Sequence, residues 1–368
     1  MKKPLTFLTI ISVLTSCLSQ ENVKQKRIIS AKSDYTEYKI ADTWFRGQWR
    51  IAPEIEHDTL KVLCYGSKEE FKFRTDMDSI EFLISPQKIV DFYIKLDENI
   101  LAHTVVEGVA VYGEELNFNR TRNNDFKFKF QKDKSKYLNE LRKLFPIDDT
   151  AKNMTEVEKV LAILNWTNSR WKHNGMNSPS KNDAITILNE ANEGGEFPCF
   201  AFAIVLKDQL NANGFKARTI YLKSKDAKNR KSSPGHVATE VYLNDLDKWV
   251  FLDGQFNLMP FLNNKPLNAV EFQDAIVNDF DKLELKSLSS NVYTKKRYVN
   301  FVYDYLYYFD TDLDNRYDYD DKYRVEGKSS IMLVPSGAEE LHRIDFWDMD
   351  IDYCVYTNSL NDFYQKPK

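Results

Sequence analysis

Near residue 135 the apolar side chains stop alternating at every second position and begin to recur at every third or fourth. One kind of element cannot carry both periods. Side chains alternate across a strand and repeat every 3.6 residues round a helix. The chain must therefore hold a strand-built part followed by a part that contains helices. Before the switch, Leu60, Val62 and Cys64 alternate, as do Ile80, Phe82 and Ile84, and then Val90, Phe92, Ile94 and Leu96. Gly66, Pro86 and Asp97-Glu98-Asn99 break these runs. The pattern predicts an antiparallel β-sandwich over residues 40–132. Trp44 and Trp49 read there as core or strand residues rather than as a sugar-binding face.

After the switch, Tyr137, Leu138, Leu141 and Leu144 predict a helix that stops at Pro146. Thr155 and Glu158 have the spacing of a capping box. Val157, Val160, Leu161 and Leu164 then form one stripe on a helix running towards Trp171. A short helix is expected over 182–190, broken by Gly194-Gly195. The next run, FPCFAFAIVLKDQLNANG, is apolar nearly all round in its first half, so it predicts a buried central helix opening near Cys199 and closing at Gly214. Strands are expected over 216–222, 236–243 and 248–253, with a charged, exposed loop at 223–235. The class is α+β, with a helix-containing domain over 133–265 and a mixed, β-rich C-terminal region, 266–368, packed on it.

The first sixteen residues, MKKPLTFLTIISVLTS, have two lysines and a short apolar stretch, which reads as a signal peptide. Leu14-Thr15-Ser16-Cys17 resembles the bacterial lipobox. That resemblance implies cleavage before Cys17, lipidation of Cys17 and a membrane-anchored lipoprotein of the bacterial cell envelope, with 17–39 as a tether. Periplasmic and surface facing both remain open. Lys plus Arg is 51 against 55 for Asp plus Glu, so the basic excess of a nucleic-acid binder is missing. With 42% hydrophobic and 14% aromatic residues, disorder as the main state is excluded. Four cysteines in 368 residues do not make a disulfide scaffold. Cys64 and Cys354 could pair or remain two buried thiols.

The chemistry is carried by three separated residues. Cys199 opens the buried helix, His236 opens a strand after Pro234-Gly235, and Asp253 closes the next strand before Gly254. A helix N-terminus and a neighbouring imidazolium both favour a thiolate. A carboxylate on the other ring nitrogen orients the His. First-turn amides are free to hold an oxyanion. Each residue also has a plain reading: a core thiol, a rim His and a turn Asp. Spacing alone leaves both readings open.

Three blocks carry a resemblance: GGEFPCFAFAIVLKDQLNANGFKARTIYL, GHVATEVYL and KWVFLDGQFN. Together they resemble the transglutaminase-like superfamily, a papain-like thiol fold. The order fits, with 37 residues from Cys199 to His236 and 17 from His236 to Asp253. The resemblance implies that Cys199 is the nucleophile, His236 the general base and acid, and Asp253 the orienting residue. It implies a protease, amidase or acyl transferase acting on protein or peptide. The alternative is a non-catalytic surface lipoprotein that binds peptide or glycan through its cleft and β domains. The family often has an aromatic residue two positions after the His, where this chain has Ala238.

Trp171 and Gln255 are cleft candidates, Gln255 as an oxyanion donor. Trp166, Trp171 and His173 could roof the cleft or pack in the core. Arg218 is read as half of a structural ion pair. Asp310, Asp312, Asp314, Asp318 and Asp321 lack the Gly and Glu that a calcium loop needs and are read as a solvated acidic loop. No zinc spacing and no phosphate-cradling loop is present, so neither metal nor cofactor is expected.

Overall fold

The computed structural model describes residues 27–33, 35–40, 43–48, 59–96, 101–122, 124, 126–147, 154–289, 293–317 and 320–367. The leader, Cys17 and Trp49 lie outside the described residues. The chain divides into two compact units, Met1–Val111 and Tyr112–Lys368.

The first unit is built of strands β1 (Arg27–Ser30), β2 (Tyr35–Ile40), β3 (Thr43–Gln48), β4 (Thr59–Cys64), β5 (Glu69–Arg74), β6 (Ser79–Ile84), β7 (Ile89–Lys95) and β8 (Leu101–Ala110). They form two four-stranded sheets, β3-β2-β5-β6 and β1-β7-β8-β4. Both sheets send side chains into one core, with Val62, Phe71, Phe73, Ile84, Phe92 and Val106 all sealed from solvent. The alternation read from the sequence is what fills this core, since every second residue of β5 points inward.

Three expectations change here. The second sheet is mixed, because β1 runs parallel to β7 and β4 parallel to β8. A period of two marks a strand but carries no information on the direction of its neighbour. The expected tether, 17–39, contains β1 and most of β2. Ile29 and Ala31 are buried, but one inward residue in a four-residue strand is too short a pattern to read. The boundary also moves from 132 to 111. Asn119 bridges Ser359 and Lys129 bridges Asp314, which ties the segment after Val111 to the second unit. Trp44 is a strand residue with an exposed ring, and the Arg74 guanidinium lies 4.4 Å from its centre.

The second unit opens with α1 (Lys136–Leu144), α2 (Glu156–Asn168), α3 (Ala184–Asn192) and α4 (Cys199–Ala212). Thr155 and Glu158 make the capping box on α2. Gly214, at φ +89°, closes α4 in a conformation that few other residues adopt. Next come β9 (Lys216–Lys223), β10 (Gly235–Leu243) and β11 (Lys248–Leu252). One face of these strands packs on α2 and α4 through Leu164, Leu206, Leu210, Val241, Val250 and Leu252. After them lie β12 (Met259–Leu262), β13 (Lys265–Pro266), α5 (Ala269–Asn278), β14 (Leu283–Lys286) and α6 (Lys295–Val302). The chain closes with β15 (Tyr308–Asp312), β16 (Ser330–Leu333), β17 (Arg343–Ile344), β18 (Met349–Asp350), β19 (Cys354–Thr357) and α7 (Leu360–Phe363).

Part of the C-terminal region belongs to the central sheet itself. Strands β15, β16 and β19 extend the central sheet, giving the order β11-β10-β9-β15-β16-β19. β15 pairs with the edge of β9 that β10 leaves open, Phe309 facing Leu222. An unpaired edge in a buried sheet would strand its amides and carbonyls, so the late strands complete what the early ones begin. The acidic run is only in part a solvated loop: Asp321 is exposed, but Asp310, Asp312 and Asp314 are not. Asp310 is buried in β15 and ion-paired with Lys223, and Asp314 is held by Arg316. Asp318 lies outside the described residues. Cys64 and Cys354 are both buried, and they do not pair with each other. No helix among the described residues is long and apolar enough to cross a membrane.

Candidate active site

Pro198 is the N-cap of α4 and offers no side-chain hydrogen bond to the first turn. The amides of Cys199 and Phe200 have no acceptor inside the helix, and the N-cap residue gives them no side-chain oxygen. The Cys199 thiol thus stands half-buried at a helix terminus that favours negative charge. Gly254 keeps the turn after β11 close to this helix, since a Cβ there would sit 3.2 Å from Phe202 Cβ.

His236 is the second residue of β10. The hairpin pairs Leu243 with Lys248 and Thr239 with Leu252, leaving a four-residue turn, 244–247. Continued outward, that register puts Asp253 opposite Ala238, on the face that His236 shares and one diagonal step away. The His236 Nε2–Asp253 Oδ2 distance is 2.8 Å, and both side chains are almost wholly buried. The same Oδ2 accepts the Tyr298 hydroxyl at 2.7 Å. Oδ1 accepts the backbone amides of Gln255 and Phe256 at 3.0 and 3.1 Å. Four donors therefore fix one carboxylate. Nε2 is committed to Asp253, which leaves Nδ1 as the ring nitrogen available to the Cys199 thiol on the same cleft.

The electrostatics follow from these contacts. Burial pushes the Cys199 thiol up, but the hydrogen bond and positive charge of His236, with the Val237 amide, outweigh it and hold the thiol below its ordinary value. Burial also opposes charge on His236. The Asp253 carboxylate overcomes it, and the imidazole is pushed up to about 10. The pair is thus biased towards thiolate and imidazolium. Burial, reinforced by Asp253, keeps the Tyr298 phenol protonated and donating.

The thiol and His236 open onto a cleft of about 880 Å³. His173, Gln255, Phe301, Tyr305 and Trp347 are among its walls. Gly235 admits Trp347 close to the strand, because a Cβ there would lie 3.2 Å from the indole. Of the cleft candidates, Gln255 is on the wall and Trp171 is not. Trp171 stacks on Phe202 at 4.3 Å inside the helical core. A Trp three residues past a helix had no pattern to show which way its ring turns. His173 stands at the rim, its imidazole held below the ordinary value by partial burial and by His236, against the opposing pull of Asp253. Arg218 forms a buried ion pair with Glu240 at 2.7 Å, away from the cleft. No group of three or more His, Cys, Asp or Glu among the described residues could hold a metal ion.

Sequence reasoning missed the aromatic wall. Phe301 meets the His236 ring edge-on at 5.1 Å, and Phe256 packs on both Phe301 and Tyr298. The available signal was the density of rings between Tyr298 and Phe309, which carried no register to tie them to His236.

Residues 146–254 match the family model of the transglutaminase-like superfamily, and this part of the chain is a transglutaminase-like domain. Among solved structures, the chain is similar to one from Cytophaga hutchinsonii that is provisionally named a cysteine protease. The identity is 14%, over 70% of this chain and 82% of that one, with a TM-score of 0.27. A likeness of that size bears on neither the fold nor the chemistry. No curated protein matches the chain.

Proposed function

We propose that the protein is a thiol enzyme acting on amide or peptide bonds, with Cys199, His236 and Asp253 as its catalytic residues. The observation that carries this reading is a half-buried thiol at a helix N-terminus, sharing one cleft with a His whose ring is bonded at 2.8 Å to a buried carboxylate held by four donors. The Cys199 thiolate attacks the carbonyl carbon and the C–S bond forms. The oxyanion is received by the first-turn amides of α4, with Gln255 on the wall beside them. His236 gives its proton to the departing amine as the C–N bond breaks, leaving a thioester on Cys199. Water or an amine then attacks the thioester, losing a proton to His236, and the thiolate returns. Asp253 holds the ring through both halves. Protein or peptide is the substrate class that fits the long cleft.

The lipobox at Cys17 supports a further part of the reading, a lipid-anchored position in the bacterial cell envelope. The two sheets around one core in the first unit support reading it as a sandwich domain.

The reading is tested by labelling the folded protein with iodoacetamide at pH 7 and following each cysteine by mass spectrometry. Cys199 is expected to react at least tenfold faster than Cys64 or Cys354, since a lowered thiol pKa raises the reactive fraction. Equal or slower labelling overturns the reading and leaves a peptide- or glycan-binding lipoprotein.

A further inference from the structure

The cleft does not end at the thiol. Cys199, Ile204, Lys207 and Asp208 all line it and all lie on α4. At about 1.5 Å of rise per residue, Lys207 stands about 12 Å from Cys199 along the helix. This far pole is closed by β9, β15 and the turn after β15, through Tyr221, Asp312, Asp314 and Asn315.

Most charges at the pole satisfy one another. Lys207 pairs with Asp208 at 3.2 Å, and the Tyr137 hydroxyl donates to the other Asp208 oxygen at 2.6 Å. Arg316 holds Asp314 through two bonds of 2.9 and 2.6 Å, and the Tyr323 amide donates to Asp314 at 2.8 Å. Three oxygens are left over. Asp312 accepts from the Ser330 hydroxyl at 3.0 Å and from no other donor among the described residues. A carboxylate has about four acceptor sites. Asn315 is 5% exposed, and its Oδ1 is buried without a donor. Its Nδ2 donates to the Asp312 carbonyl at 2.9 Å, which places the side chain beside that residue. The Tyr221 hydroxyl makes no hydrogen bond among the described residues. Lys322 reaches the rim, stays exposed, and makes no ion pair among the described residues. The chain therefore does not close these acceptors itself. Acceptors short of donors in a partly buried place are relieved by a ligand that brings N–H groups and positive charge.

We propose that the far pole of the cleft binds an ammonium group of the substrate through Asp312, Asn315 and Tyr221. This rests on the reading of the cleft as a peptide site. About 12 Å corresponds to three or four extended residues at about 3.3 Å each. The substrate is then a peptide carrying a free ammonium three or four residues on the acyl side of the bond attacked at Cys199. That ammonium is either the peptide's own N-terminus or a lysine-type side chain.

The test uses alanine peptide chloromethyl ketones of two to six residues, each with a free or an acetylated N-terminus, reacting with Cys199 of the full chain. An acetylated set carrying lysine at each position separates the two sources of ammonium. At three or four residues the ammonium-bearing label is expected to react about tenfold faster than its neutral twin. Asp312→Asn, which retains an acceptor for Ser330, abolishes the preference, and Tyr221→Phe weakens it. Iodoacetamide rates on the same proteins correct for any general change in the thiol. Equal rates at every length, or a preference that survives Asp312→Asn, overturn the proposal. If iodoacetamide shows Cys199 to be inert, the thiol-enzyme reading fails. The pole is then read by calorimetric binding of free against acetylated tetra-alanine amide, where a tenfold difference that depends on Asp312 sustains it and equal affinity ends it.

Discussion

Strand β10 carries two buried charged pairs on one face, four residues apart, and they have opposite characters. Glu240 meets Arg218 at 2.7 Å with neither side chain exposed. Arg218 also donates to the Phe363 carbonyl at 2.9 Å, and the rings of Trp249 and Phe363 cover its guanidinium at 4.4 and 4.5 Å. The other Glu240 oxygen accepts the Ala269 amide and the Tyr364 hydroxyl. Both groups are closed on all sides. His236 and Asp253 are as deeply buried, but their chain of bonds ends at a thiol that faces the cleft. Burial of charge is therefore not what separates the two pairs. The difference is that one is closed on all sides and the other borders an open cleft.

The sharpest way to break this contrast is at the closed pair. Arg218→Met leaves Glu240 buried and short of its partner, so unfolding stability is expected to drop by about 3–5 kcal/mol in urea titration. Cys199 in the protein that remains folded should label at the original rate. A loss well below about 1 kcal/mol would mean that the pair is not closed. At the open pair the weight shifts from stability to reactivity. His236→Ala removes the partner that lowers the thiol, and iodoacetamide labelling at pH 6.5 should fall by roughly a hundredfold. An unchanged pH profile of labelling would separate the thiol from the ring.

The open pair also titrates. His236 binds its proton up to about pH 10 in the folded chain, against about 6.5 for an unperturbed imidazole. Its contribution to stability is complete below about pH 6.5 and is lost as pH rises towards about 10. Thermal stability of the unaltered chain should decline through that window. Asp253→Asn removes the charge that raises the imidazole, so its curve should be flatter. Parallel curves would show that Asp253 does not hold the proton on His236.

How much of this could be read beforehand divides along the same line. The strand alternation, the capping box at Thr155 and the buried helix from Cys199 were legible because local periods and end signals report on one element at a time. The approach of His236 to Asp253 was legible only as a resemblance, since hairpin register depends on a turn whose Asp247 takes a left-handed backbone, φ +51°. What lay beyond local signals was closure. Residues 308–357 were not placed in the central sheet, because edge pairing between β9 and β15 spans more than eighty residues of chain. For the same reason Asp310 and Asp312 looked solvated, although their strand is covered. Tyr298 was missed because an aromatic-rich segment says that rings will be buried and does not say against what.

Tyr298 gives the smallest expected effect and the finest test. Its hydroxyl shares Asp253 Oδ2 with His236 Nε2, so it stands beside the chain of bonds rather than within it. Tyr298→Phe removes one of four donors and keeps the ring that packs on Phe256 and Phe272. Asp253 retains both backbone amides and His236, so the carboxylate stays in place. The loss should be about 1 kcal/mol of stability, the usual net worth of one hydrogen bond. Labelling of Cys199 at pH 7 should slow by roughly threefold as the imidazole loses part of its positional restraint, far short of the His236→Ala effect. A loss as large as that of His236→Ala would put the phenol inside the relay. No change in either measurement would mean that the two amides alone orient the carboxylate, and that the hydroxyl merely fills its own hydrogen-bonding need in a buried place.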